Sequence, residues 1–297
     1  MVEHAQEADQ AAVQDTARQA VGRYYDRNTR GFLAAGEGGR SLAIHRGIWP
    51  PGTITTAQAA EYVPALMLEQ AREIGARNIL DLGCGVGGTC LYLARGFEAG
   101  SVPLDLRIVG MTISAAQVQL GQNLVGMAGL DGVVSLMQGD YTDPACFASL
   151  PPQDLVLALE SFIHSPDLRT TLGNASAVLR PGGRLVICDD MIMADPGTAD
   201  RDLADFRRCW HAYGLTTRDV LAGLCQGLGL QLLAEEDLSP MLRLFRPRDR
   251  LAAFLLPLLR LFRNWPWAQN LVGGTALQRL LVRGSLGYRY QVWVKHA

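Results

Sequence analysis

The stretch ILDLGCGVGGTC, residues 79–90, leaves a chain few folds to choose from. An apolar run that ends in a glycine-rich turn and resumes as GTCLYLARGF predicts a buried strand, a tight turn and a helix, the first βα unit of an open sheet. The following segments repeat that rhythm. LRIVGM, VVSLMQ, DLVLALE and GRLVICDD predict short buried strands, with SAAQVQLGQNLVGMA and LRTTLGNASAVL as helices between them. Alternation of this kind implies an α/β, doubly wound parallel sheet with helices on both faces.

Outside this core the rhythm differs. Residues 1–74 predict a helical N-terminal cap, interrupted by glycines at 31–40 and a Pro-Pro-Gly turn at 50–52. After Asp190, TTRDVLAGLCQGLG predicts a helix, LQLLAEEDL a strand and GYRYQVWVKH a closing strand. The expected organisation is a cap over 1–74, a core over 75–237, a lid insertion over 238–287 rich in Leu, Arg and Trp, and the last core strand over 288–297.

Composition narrows the function classes. With 297 residues and 48% apolar content the chain can bury a full core. A formal charge of -2 and a pI near 6.2 argue against a nucleic-acid partner. The six cysteines lack CxxC spacing and suit a reduced, structural role. No HxH or HExxH pattern predicts a metal site, and no G-x-S-x-G elbow predicts a nucleophilic serine. The N-terminus lacks a signal pattern, and the most apolar run, LAAFLLPLLRLF (251–262), is short and broken by Pro257 and Arg260. A cytoplasmic protein without stable membrane insertion is expected, although that run would suit a bilayer surface.

Gly83, Gly85 and Gly88 satisfy GxGxxG, which alone is compatible with NAD or FAD. Two features point elsewhere. Asp81 stands just before the first glycine, and the second strand ends VGMTIS, without the acid that would hold a ribose. A carboxylate at the turn opposes a pyrophosphate and suits a cationic or amine-bearing ligand.

Asp81, Gly83 and Gly85, as D-x-G-x-G, resemble the nucleotide motif of class I S-adenosylmethionine (SAM)-dependent methyltransferases. GMTIS with Gln117 resembles the adenosine-facing segment of the sterol and cyclopropane-fatty-acid branch. GDYTD (139–143) is similar to the segment whose acid contacts adenine, and LRPGGRLVICDD (179–190) to the motif leading into the fifth strand. The resemblance implies a Rossmann-like seven-stranded sheet with SAM as cofactor. It also implies that Tyr24, Asp81, Gly83, Gly85, Met111, Thr112, Gln117, Asp140, Tyr141 and Glu160 hold that cofactor.

The fourth strand ends in ESFIHSPD, which places Glu160, Ser161 and His164 at the sheet's lip. An oxygen or nitrogen acceptor needs a base, which Glu160 or His164 would supply. An alkene acceptor instead needs negative charge and aromatic faces around a carbocation. ESFIHSPD resembles the acid-bearing loop of methyltransferases that alkylate isoprenoid double bonds. YYDRNTRGF (24–32) and GEGGRSLAIHRGIW (36–49) resemble the N-terminal segment of bacterial prenyl-diphosphate C-methyltransferases. That likeness implies Glu160, His164 and Tyr25 as catalytic residues and an isoprenoid acceptor, a prenyl diphosphate. Arg27, Arg30, His45, Arg46, Arg208, His211 and Arg246 are the candidates to hold the diphosphate, with Mg2+ as its companion, and the likeness implies a homo-oligomer. The alternatives are an O- or N-methyltransferase tailoring a lipid-like or polycyclic product, with His164 or His211 as base, and a SAM-binding module without catalysis.

Overall fold

A computed structural model of the chain describes residues 13–26, 29, 42, 44–98, 105–194, 197, 200–263 and 265–296. Seven strands form one sheet in the order β3-β2-β1-β4-β5-β7-β6. They are β1 (Asn78–Leu82), β2 (Arg107–Thr112), β3 (Val134–Gln138), β4 (Gln153–Leu159), β5 (Leu179–Ile192), β6 (Leu230–Asp237) and β7 (Leu286–Lys295). The first five run parallel. β7 lies antiparallel to both β5 and β6, so the five strands expected to be parallel are so, and the sheet becomes mixed only at the last two, whose direction the sequence left open. Hydrophobic rhythm reveals a strand but not its direction.

The strand order reverses between β1 and β4, and at such a reversal a crevice opens at the carboxyl ends of the strands. Every residue of β4 is buried, which is why QDLVLAL reads as an almost unbroken apolar run. One face of the sheet packs Val63, Met67 and Leu68 of α2 (Thr56–Glu73) together with Leu91 and Leu93 of α3 (Gly88–Glu98). The opposite face packs Leu172 and Ala175 of α5 (Leu168–Val178) and Leu221 and Cys225 of α7 (Arg218–Gly227), with Trp293 of β7 beneath them.

Helix starts follow side-chain chemistry. Thr55 and Gln58 form a capping box at α2, and Ser114 caps α4 (Ala115–Ala128) by accepting from the Gln117 amide. Gly129 ends α4 in the left-handed conformation, at φ +68°.

Between β6 and β7 the chain forms α8 (Pro247–Leu259) and α9 (Pro266–Val282), and α9 packs on α6 (Arg201–Cys209). Phe206, Leu277 and Leu280 are buried in this second core. The N-terminal helix α1, residues 13–26, is tied to the rest of the fold by several side-chain contacts. Ser114 Oγ donates to Asp26, Arg18 pairs with Asp140, and Tyr24 Oη donates to Asn270 of α9 at 2.6 Å. Among the described residues no helix is long and apolar enough to cross a membrane.

Candidate active site

The turn after β1 is a cradle that only glycine can build. The Gly83 and Cys84 amides both donate to the Met111 carbonyl, at 2.8 and 3.1 Å, and Gly83 and Gly85 adopt φ of +80° and +57°. A Cβ on Gly83 would lie 2.3 Å from that of Ser161, because Ser161 Oγ donates to the Leu82 carbonyl at 2.7 Å and draws the tip of β4 against β1. Side chains here are excluded both by backbone conformation and by space.

Asp81 sits at the floor of the cradle, 2% exposed. Among the described residues its carboxylate accepts one hydrogen bond, from the Cys90 thiol at 3.4 Å. Burial raises its pKa to about 7, and the thiol bond offsets only part of that. A buried carboxylate with no cation beside it is costly unless a ligand brings one. The α-amino group of SAM is such a cation, so the chemistry of this floor fits the expected cofactor.

Above the cradle lies a cavity of about 810 Å³ of empty space, counting solvent at its mouth. Asp81, Gly83, Gly85, Thr112, Gln117, Tyr141 and Glu160 line it, and so do Tyr25, His45, Ser161 and His164. Gln117 is fixed on two sides, accepting from Thr112 Oγ1 at 2.6 Å and donating to Thr29 at 3.1 Å. Tyr141 Oη donates to the Ser161 carbonyl at 2.9 Å.

Other expected residues stand elsewhere. Met111 meets the cradle through its carbonyl, while its side chain is buried in the core of the sheet. Asp140 turns away from the cavity: Oδ1 accepts from the Thr142 amide and hydroxyl, and Oδ2 pairs with Arg18. Tyr24 reaches Asn270 rather than the cavity, and packs edge-on against Tyr25 and His211. Arg208, His211 and Arg246 do not line the cavity, and Arg246 pairs with Asp249. Arg27 and Arg30 lie outside the described residues. Adjacent tyrosines on a helix point about 100° apart, and sequence alone did not say which faced the ligand.

Arg46, expected on a diphosphate, is instead enclosed by acids. Its amide and Nε donate to Glu160 Oε1 at 3.0 and 3.1 Å, and its terminal nitrogens donate to the two oxygens of Asp190 at 3.0 and 2.8 Å. The guanidinium stacks on Tyr288, whose hydroxyl donates to the same Glu160 oxygen at 2.8 Å. Burial alone would raise the pKa of Glu160, but the Arg46 charge, His45 and these hydrogen bonds bring it below its ordinary value. Glu160 also holds φ of +48°, a conformation that costs a non-glycine residue about 1 kcal/mol or more and persists where surroundings enforce it. Asp190 and Tyr288 were read only as strand residues; two consecutive acids closing an apolar strand were the available signal.

His164 lines the same cavity. Its Nε2 lies 2.8 Å from Tyr25 Oη, and its Nδ1 lies 3.3 Å from the His211 carbonyl. A carbonyl only accepts, so Nδ1 carries the hydrogen and Nε2 is left to accept from the tyrosine. Burial lowers the His164 pKa to about 4 and raises that of Tyr25, so at neutral pH the imidazole is uncharged and the hydroxyl protonated. His45 is likewise shifted down by burial. No lysine or arginine lines the cavity among the described residues.

Residues 75–213 match the family model described as a methyltransferase domain. The chain is 32% identical over 241 residues to methyltransferase GfsG of Streptomyces halstedii, covering 77% of this chain and 79% of that protein. It is 30% identical over 231 residues to O-methyltransferase rstn1 of Aspergillus nomiae, covering 76% and 95%. The fold is shared with geranyl diphosphate C-methyltransferase from Streptomyces coelicolor A3(2), solved with Mg2+, geranyl diphosphate and S-adenosyl-L-homocysteine. There the TM-score is 0.70 at 17% identity, over 94% of this chain and 97% of that one. With the acid-and-glycine cradle and a relative similar over most of its length, the chain belongs to the SAM-dependent methyltransferases.

Proposed function

We propose that this enzyme methylates a hydroxyl oxygen of an uncharged, largely apolar natural product. The observation that carries the reading is the neutral His164 paired with Tyr25 in a cavity with no lysine or arginine in its described lining. An oxygen acceptor must lose its proton as it reacts, and a neutral imidazole accepts one at pH 7. The likeness to O-methyltransferase rstn1 supports oxygen as the acceptor, and that to methyltransferase GfsG supports methyl transfer alone.

SAM, when bound, supplies an electrophilic methyl group. The chain's own residues do the rest. Asp81 and the Gly83–Gly85 turn bind the amino-acid end, and Gln117 and Thr112 border the nucleoside side. Tyr25 Oη receives the acceptor's proton while its own passes to His164 Nε2, and the His211 carbonyl steadies the resulting imidazolium through Nδ1. Glu160, ionised and held by Arg46, adds negative charge to the wall facing that proton.

Methylation of an isoprenoid alkene is the second reading. It draws on the ionised Glu160 and on the faces of Tyr25 and Tyr141, which suit a carbocation. Arg46 speaks against a diphosphate, since Glu160 and Asp190 already use its charge. Labelled SAM offered with hydroxylated polycyclic acceptors and with geranyl diphosphate separates the two. Label recovered as an O-methyl ether supports the first reading, and label on a carbon of the prenyl chain overturns it.

A further inference from the structure

The α8–α9 insertion turns a second apolar face to solvent. In α8, Leu256 and Leu259 are buried against the fold, as a core-facing stripe should be. Leu251, Phe254, Leu255 and Leu258 follow the i, i+3, i+4, i+7 spacing of another stripe, and this one is exposed, Phe254 to 80% and Leu251 to 61%. The face continues past the helix end. Phe262 lies 6.1 Å from Trp265 and 6.3 Å from Trp267, ring centre to ring centre, yet the two tryptophans remain 58% and 51% exposed. Single exposed apolar residues are ordinary, but a contiguous aromatic and leucine surface marks a site of interaction.

Charge selects among the surfaces that could meet it. Residues 243–263 hold six arginines against one aspartate, a formal +5 in a chain of -2, so the remainder carries -7. Arg260 is committed to Asp202 and Asp205 and Arg243 stacks on Trp49, while Arg243, Arg250 and Arg263 remain exposed to solvent. A second copy docked through the same face would set these arginines against one another. An anionic bilayer meets both features at once: headgroup charge for the arginines, and an acyl boundary where tryptophan and phenylalanine rest favourably.

We infer that the α8–α9 hairpin is a peripheral docking surface for anionic membranes. The surface belongs to the same pair of helices whose Asn270 grips Tyr24 of the cap, so docking would set the cavity roof against a reservoir of apolar molecules. The inference stands whichever atom of the acceptor is methylated.

Flotation of the full-length protein with vesicles tests it, using phosphatidylcholine alone and phosphatidylcholine mixed with phosphatidylglycerol. Binding is expected with the mixed vesicles only, and should weaken at high salt. Substituting Phe254→Glu together with Trp265→Glu should reduce partitioning roughly tenfold or more. Replacing Arg243, Arg250 and Arg263 by Gln should cost roughly fivefold for each arginine. Both variants should retain wild-type SAM affinity, which shows that they fold. Absence of flotation, or flotation unchanged by either set of substitutions, overturns the inference. A concentration-dependent dimer dispersed by the glutamate pair, without flotation, would assign the face to a second copy instead.

Discussion

Tyr25 Oη and His164 Nε2 face each other at 2.8 Å across the junction of α1 and the tip of β4. The helix supplies the hydroxyl and the sheet supplies the imidazole, so the proton path proposed above requires the cap to be seated.

That junction predicts an unusual pH profile. His164, with its pKa lowered by burial to about 4, is already a base above that pH, whereas an ordinary histidine becomes one near 6.5. Measured with saturating SAM, kcat should therefore be flat from about pH 5 upward on its acid side, with no limb near 6.5. His164→Ala should lower kcat by roughly 10²–10⁴-fold, and Tyr25→Phe by a smaller factor. Calorimetric SAM affinity should be nearly unchanged in His164→Ala.

On the proposed binding mode, Asp81 links cofactor binding to proton binding. Its folded-state pKa, about 7, lies above the ordinary value of 3.8, so the folded apoprotein holds this proton more tightly than the unfolded chain. That contribution to stability is fully present below about pH 4 and is lost as pH rises through about 7. Asp81→Asn removes the loss, so the variant apoprotein should melt above wild type at pH 8 and match it near pH 4. The same variant should bind SAM at least tenfold more weakly, and wild-type affinity should tighten as Asp81 ionises with rising pH.

Removing the Arg46 side chain leaves half-buried Glu160 and buried Asp190 without their shared cation. Arg46→Ala should destabilise the fold by about 3–5 kcal/mol, the range for breaking one side of a buried ion pair. Arg46→Lys keeps the charge but not the geometry, because an ammonium cannot span two carboxylates as the guanidinium does. Urea denaturation should rank wild type above Lys and Lys above Ala. Equal stability of all three proteins would show that the two acids do not depend on this residue.

Gly83→Ala adds a methyl group 2.3 Å from the Ser161 Cβ at a backbone φ of +80°. Strain and overlap together should cost roughly 2–4 kcal/mol and separate the tips of β1 and β4. Combining it with Ser161→Gly removes the overlap but keeps the strain, and should recover part of the loss in melting temperature.

Much of this arrangement was legible before any coordinate. Asp81, Gly83, Gly85, Glu160 and His164 all sit at strand tips, and the topology of an open sheet gathers those tips into one crevice. The five parallel strands were legible for a similar reason, since apolar runs such as DLVLAL have nowhere to go but a buried sheet. Direction was not: GYRYQVWVKH alternates equally well either way, and β7 runs antiparallel. Arg46 misled because an arginine reads as a free charge until tertiary structure sets Glu160 and Asp190 beside it. Asp140 is harder to read, because an acid after a strand serves a turn as readily as a ligand, and here its Oδ1 accepts from Thr142.

The grip on Glu160 joins distant parts of the sequence, with Arg46 arriving ahead of the first strand and Tyr288 in the seventh. During synthesis the carboxylate therefore lacks one of its restraints until β7 has emerged and inserted between β5 and β6. A nascent chain halted before Tyr288 can present most of a nucleotide cradle, but not the finished reacting wall. On the proposed mechanism such a chain would bind cofactor without turnover, so activity would report that the seventh strand has been laid into the sheet.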